Sequence, residues 1–182
     1  GAFKSVTYRK RLKEYTVSAK HLIAACDVDV LYKKLLPEGS VPKNLLQKLD
    51  KAELYSSSVT ISVALTCPAE SLGFGEEMIQ VFNEETPRME HNSGDPHKSF
   101  LSILAPSVRD KTLAPENHGT LNIFVPAWMD YGNNWGTALN AKGEYDRNEE
   151  YKRIKEEFAQ IIFDRMEEKV CPNLREHILF YE

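Results

Sequence analysis

The sequence predicts an α+β fold, a mixed, largely antiparallel sheet with helices packed on it. Three observations carry the prediction. Residues 54–66 alternate with strand periodicity, Val59, Ile61, Val63 and Leu65 pointing one way and Thr60, Ser62, Ala64 and Thr66 the other. From about Asp146 to Val170, Tyr151, Ile154, Phe158, Ile161 and Ile162 recur at helical spacing, with charged residues on the opposite face. Strand-like runs with polar links of hairpin length or longer fill the rest, a pattern of antiparallel neighbours rather than repeated βαβ units.

Taken in order, residues 3–9 alternate, Lys10-Arg11-Leu12-Lys13 interrupts them, and Tyr15-Thr16-Val17 resumes, which reads as a hairpin. The apolar run His21 to Cys26 fits a buried strand. Asp27 or Asp29 can cap a helix through Leu31, Leu35 and Leu36 that stops at Pro37-Glu38-Gly39. Ser40 can cap a second short helix, with Pro42 in its first turn and Leu45, Leu46 and Leu49 on one face. After the central strand, Pro68 acts as a stop, and strands are expected at 77–82, 98–105 and 119–126. The segment 127–144 is rich in Gly, Asn and aromatics and reads as loop; Pro172 follows the long helix, and 177–181 reads as a last strand.

The chain has 182 residues, which suits one domain over 1–182. Hydrophobic residues make up 42% and charged residues 27%, a globular composition that excludes wholesale disorder. The formal net charge of −4 argues against a nucleic-acid partner, whose footprint should be basic. No apolar run approaches the roughly 18 residues that a spanning helix needs. The start, Gly1-Ala2-Phe3-Lys4-Ser5-Val6, shows neither Met nor a signal-peptide core, so the expectation is a piece of a longer cytoplasmic protein. Cys26, Cys67 and Cys171 are odd in number and share no C-x-x-C spacing, so neither a disulfide framework nor a zinc site is expected.

The chemistry-bearing patterns are sparse. Gly73-Phe74-Gly75 lacks the third glycine of a dinucleotide fingerprint and reads as a tight turn. His91, Asp95 and His97 have ligand chemistry but share one polar loop, and no metal is expected there. Ser107, Asp110 and His118 lack the Gly-x-Ser-x-Gly setting of a hydrolase nucleophile. The Glu/Lys run 149–157 reads as a solvated helix face. Trp128, Tyr131 and Trp135, among Gly132, Asn133, Asn134 and Gly136, can line an apolar pocket, touch a membrane interface, or plug the end of the core.

Three stretches together resemble one family. They are Ala19 to Asp27 with Leu35-Leu36-Pro37; Ser57-Ser58-Val59-Thr60-Ile61-Ser62-Val63-Ala64-Leu65; and Ala105-Pro106-Ser107, Asp110, Leu113-Ala114-Pro115-Glu116 and Gly119, then an apolar strand to Pro126. They are similar to the phytoene desaturase branch of the FAD-dependent, amine-oxidase-like oxidoreductases, which includes carotenoid desaturases and retinol saturase relatives. The third stretch is the most specific. The family's N-terminal Gly-x-Gly-x-x-Gly and its second flavin-contacting segment are not present in the 182 residues.

The resemblance implies the substrate-binding domain of such an enzyme. FAD would belong to the parent protein and none is expected on this chain alone. The implied partners are the missing FAD-binding domain and an apolar, polyene- or lipid-like substrate lying against the inward face of the sheet. Phe100, Phe124, Trp128, Tyr131 and Trp135 are the implied substrate-binding residues, and Cys26 and Asp27 match flavin-proximal positions. No catalytic residue is assigned. Self-association through an uncovered apolar surface is expected, and peripheral membrane contact stays open. Two alternatives also stay open: a free-standing α+β ligand-binding or interaction module, and an amine-oxidase relative acting on a polar amine.

Overall fold

The computed structural model describes residues 4–52, 57–141 and 144–182. Residue 3 of the expected hairpin and residues 54–56 of the expected central strand lie outside the described residues, as do 142–143 of the aromatic segment. The chain divides into two compact units, Gly1–Leu54 and Tyr55–Glu182.

In the first unit, β1 (Ser5–Lys10) pairs antiparallel with β2 (Lys13–Ser18), as the alternation predicts. Tyr8 and Tyr15 face each other and stack with ring centroids 5.4 Å apart. The strand expected at 21–26 is not formed; the segment is irregular, and Ile23 is 91% exposed. An apolar run becomes a strand only where another strand completes its hydrogen bonds, and β1 and β2 pair only with each other among the described strands. The Asp27 carboxylate accepts from the backbone N–H groups of Asp29 and Val30 and caps α1 (Val28–Val30). The chain then widens into a π-type turn over Leu31–Leu35, closed by Leu36 N–H donating to the Leu31 carbonyl at 3.0 Å. Helix α2 (Lys43–Asp50) follows Pro42 directly, so Ser40 is not its cap. Lys33 joins the two helical pieces through Asp29 (3.1 Å) and Asp50 (2.8 Å). No described residue of this unit is buried.

The second unit holds the core. Its sheet has the order β4 (Ile79–Val81), β5 (Leu101–Leu104), β6 (Gly119–Ala127), β3 (Ser57–Leu65), β7 (Ile178–Tyr181). Every pairing among the described strands is antiparallel. β3 and β6 run side by side for nine residues, Ser57 opposite Ala127 and Leu65 opposite Gly119. This register sets Ile61 opposite Ile123 and Val63 opposite Leu121, and with Leu65 and Val125 these residues share one face, all buried.

Helix α5 (Glu149–Lys169) is capped by the Asn148 side chain, which accepts from Tyr151 N–H. It covers that face with Phe158, Ile162, Phe163 and Met166, and Ile154, also buried, packs beside Gly132 and Gly136. At about 1.5–3 kcal/mol per buried side chain, these five contribute on the order of 10 kcal/mol before entropy is counted. The face under α5 is therefore a closed protein core. The opposite face carries Thr60, Ser62 and Asn122 together with Phe124 and Leu104, the last two partly exposed.

The polar loop 83–97 is anchored. Pro96 is fully buried, and the Arg165 guanidinium donates to its carbonyl at 2.6 Å. Helix α3 (Pro106–Arg109) links β5 to β6. The aromatic segment is more ordered than a plain loop: α4 (Tyr131–Trp135) is a left-handed turn, with φ of 55–57° from Gly132 to Trp135. Glycine and asparagine tolerate this region at low cost, which is why that composition yields the turn. Trp135 has no such tolerance. Its indole N–H donates to the Trp128 carbonyl at 3.0 Å and its ring packs on Tyr131 and Phe158, which together hold it there.

Candidate functional site

A cavity of about 460 Å³ opens at the end of the sheet where β3 begins and α5 begins. The first residues of β3 form one wall, Trp128, Met129 and Trp135 a second, and Tyr151 and Lys155 of α5 a third, with Tyr145 and Arg147 completing it. The volume falls in the range of small-molecule sites, roughly 300–1,000 Å³. Phe158 supports the walls from below. It is buried and meets Tyr131 edge-on and Trp135 at a tilt, both with centroids 5.3 Å away. Gly94 lets Trp128 lie flat on the 83–97 loop: its φ is +73°, and a Cβ there would fall 1.6 Å from Trp128 Cδ1.

Among the described residues that line this cavity, two are cations and none carries a carboxylate. The Arg147 guanidinium lies 5.8 Å from the Tyr151 ring centroid. Neither Arg147 nor Lys155 has an ion-pair partner among the described residues. The adjacent Lys152 and Arg153 are both paired, with Glu149 and with Glu150 and Glu157.

A second feature lies on the opposite sheet face. Phe82, Phe100 and Phe124 form a row across β4, β5 and β6, with centroid separations of 5.9 and 6.2 Å, and His91 flanks Phe82 at 5.2 Å. Phe124 and Leu104 are partly exposed there.

The structure thus brings together Phe100 with Phe124, and Trp128 with Trp135. Tyr131 belongs more to the core edge, where burial first and then the charges of Asp95 and Glu157 push its phenol pKa up. Sequence reasoning misses Arg147, Tyr145, Tyr151 and Lys155 as site residues. The four-residue spacing of Arg147, Tyr151 and Lys155 is the signal that could have found them.

The other patterns resolve into local structure. Ser107 is buried and its Oγ accepts from Thr120 N–H at 2.9 Å. Asp110 accepts from the hydroxyl and N–H of Thr112, which hold its carboxyl below the usual range, and His118 Nδ1 contacts the Glu116 carbonyl. No triad forms from these three. His91 Nε2 contacts the carbonyls of Thr86 (3.1 Å) and Asn83 (3.3 Å). Among the described residues no group of three His, Cys, Asp or Glu is placed to hold a metal. No described helix is long and apolar enough to cross a membrane.

Gly73, at φ +87°, ends a short 3-10 turn at Ala69–Leu72, so it does not open a helix at a strand end as a pyrophosphate cradle requires. The Asp27 carboxylate is occupied in capping α1, and Cys26 is exposed on an irregular segment.

No protein-family model matches the chain. Two curated proteins from an Oncidium hybrid cultivar, prolycopene isomerase 1 and prolycopene isomerase 2, both described as chloroplastic, are each 35% identical to it over 83 residues. The match covers 46% of this chain and 12% of each relative.

Proposed function

We propose that this chain is the substrate-binding part of an FAD-dependent oxidoreductase of the carotenoid-processing kind, with the flavin carried by a segment outside these 182 residues. The observation that carries the reading is the partial similarity to prolycopene isomerases, 35% over 83 residues. The α+β architecture supports it, because an antiparallel sheet backed by one helix leaves a second face available to a ligand or another domain. The Phe82–Phe100–Phe124 row gives that face an apolar, aromatic surface suited to a polyene- or lipid-like molecule. The first unit supports it too: Leu12 (99% exposed), Ile23 and Leu35 are bare of cover, as expected of a segment that docks on a flavin domain. In this arrangement the flavin supplies the redox chemistry, and these residues supply shape, orientation and exclusion of water.

The experiment is expression of the complete natural reading frame. A protein that purifies with flavin absorbance and converts a polyene substrate supports the reading. A complete protein with no dinucleotide fingerprint and no flavin overturns it. That second outcome favours the alternative of a free-standing ligand-binding module, which the cavity walled by this chain's own residues independently supports.

A further inference from the structure

The geometry points to the cavity at the start of β3 and α5 as a binding site for an amphipathic carboxylate, its acid group held by Arg147 and Lys155 and its chain lying against Trp128 and Trp135. As a statement about the substrate this rests on the reading above; as a statement about binding it rests on the cavity alone.

The argument is one of charge complementarity. The protein carries a formal net charge of −4, and on α5 the cations Lys152 and Arg153 are paired with acids. Yet the described cavity wall holds two cations and no acid, although Asp146, Glu149 and Glu150 lie close by in sequence. Lys155 follows Tyr151 by one helical turn, so both project from α5 on the same side. Arg147 lies over the Tyr151 ring, which orients its planar fork beside an apolar surface. A cation bordering a partly dry pocket gains from an anionic partner, and a guanidinium can take a carboxylate through two parallel hydrogen bonds.

The rest of the wall is apolar or aromatic. Trp128 is 48% and Met129 62% exposed, too much for core plugs, and Trp135 is fixed by its hydrogen bond to the Trp128 carbonyl. An inorganic anion would leave that surface wet, and a plain hydrocarbon would leave the two cations unused. A molecule with an apolar chain and one acid end satisfies both.

The test uses the 182-residue chain and Trp emission, with decanoate, decanol and acetate as ligands below any micelle concentration. Both tryptophans border the cavity, so binding there is read directly. Decanoate is expected to bind about tenfold more tightly than decanol, and acetate not measurably. The double variant Arg147→Gln/Lys155→Gln is expected to bring decanoate down to the affinity of decanol, with decanol unchanged. Arg147→Lys/Lys155→Arg is expected to restore most of the preference. Trp128→Ala is expected to weaken both chain-bearing ligands.

Equal affinity for decanoate and decanol on the unaltered chain overturns the proposal without recourse to any variant. So does a carboxylate preference that survives the double glutamine variant. Binding only to vesicles containing phosphatidylglycerol, with no response to free decanoate, also overturns it and assigns the two cations to a lipid surface. Because no flavin enters the assay, failure here leaves the oxidoreductase reading standing, and a flavin-free parent leaves a positive decanoate result standing.

Discussion

Replacing Phe158 by alanine tests how the core supports the site. The ring is 1% exposed, lies in the stripe by which α5 closes the sheet, and is the contact shared by Tyr131 and Trp135. Truncating a fully buried phenylalanine costs about 3–5 kcal/mol through lost transfer energy and the cavity left behind. Two aromatic partners at 5.3 Å place this case toward the upper end, since such pairs add about 0.5–1.5 kcal/mol beyond area burial. With a urea dependence of about 2 kcal/mol per molar for a unit of this size, the midpoint should fall by roughly 2 M. Urea unfolding followed by Trp emission is the assay, because Trp128 and Trp135 both belong to the second unit and Trp135 touches the mutated position. Phe180→Ala is the internal control: its ring is 64% exposed, and the change should stay within about 0.5 kcal/mol. A Phe158→Ala loss below about 1 kcal/mol, or one equal to the control, would refute the docking of α5 on the sheet and the support it gives the cavity.

Four further outcomes follow from individual contacts. Gly94→Ala should displace the Trp128 ring, because the new methyl would overlap Cδ1 and the φ of +73° disfavours alanine; a changed Trp emission maximum with a loss of about 1–3 kcal/mol is expected. Ser107→Ala should cost about 1–3 kcal/mol by leaving the Thr120 N–H without its acceptor, read as a lower urea midpoint at constant slope. Glu167 is held below the usual carboxylate range by the Arg175 backbone N–H and guanidinium, and Glu156 by the Tyr181 hydroxyl and Gln160. Their stabilising contribution is therefore full above about pH 4.3 and lost as pH falls through the lower folded values, and Glu167→Gln should flatten that acid-side decline. A thiol reagent should modify exposed Cys26 first and Cys171 only on unfolding, since burial covers the Cys171 sulfur and pushes its pKa up; peptide mapping after a timed pulse reads the order.

The fold was legible wherever a periodic pattern met a partner. The alternation of Val59, Ile61, Val63 and Leu65 is strong because β6 and β7 flank β3 and α5 covers one face, so Ile61, Val63 and Leu65 are buried and Val59 partly so. The stripe Ile154, Phe158, Ile162 is legible for the same reason. The run His21 to Cys26 misleads because its composition is that of a buried strand while no described strand pairs with it. Ser40 misleads because Pro42, with φ already near the helical value, opens the helix without a side-chain cap. The regular apolar alternation marks the face that the protein's own helix takes, and the candidates Phe100 and Phe124 lie on the other one.

The site was only half legible, and the division has a physical cause. Trp128, Tyr131 and Trp135 stand out because large aromatics beside glycine and asparagine are conspicuous in any sequence. Their roles diverge in three dimensions through the left-handed turn, which sends Tyr131 onto Phe158 and leaves Trp128 half exposed. The cations are invisible for the opposite reason. Lys152, Arg153 and Lys155 look alike in the run 149–157, and the general expectation of a solvated, ion-paired face holds for the first two. It fails for Lys155 because one helical turn from Tyr151 carries it to the cavity side, away from the glutamates that neutralise its neighbours. A charge run thus becomes informative only when its pairing is resolved residue by residue. The cations left over, Lys155 and Arg147, have no ion-pair partner among the described residues, and both line the cavity that two tryptophans border.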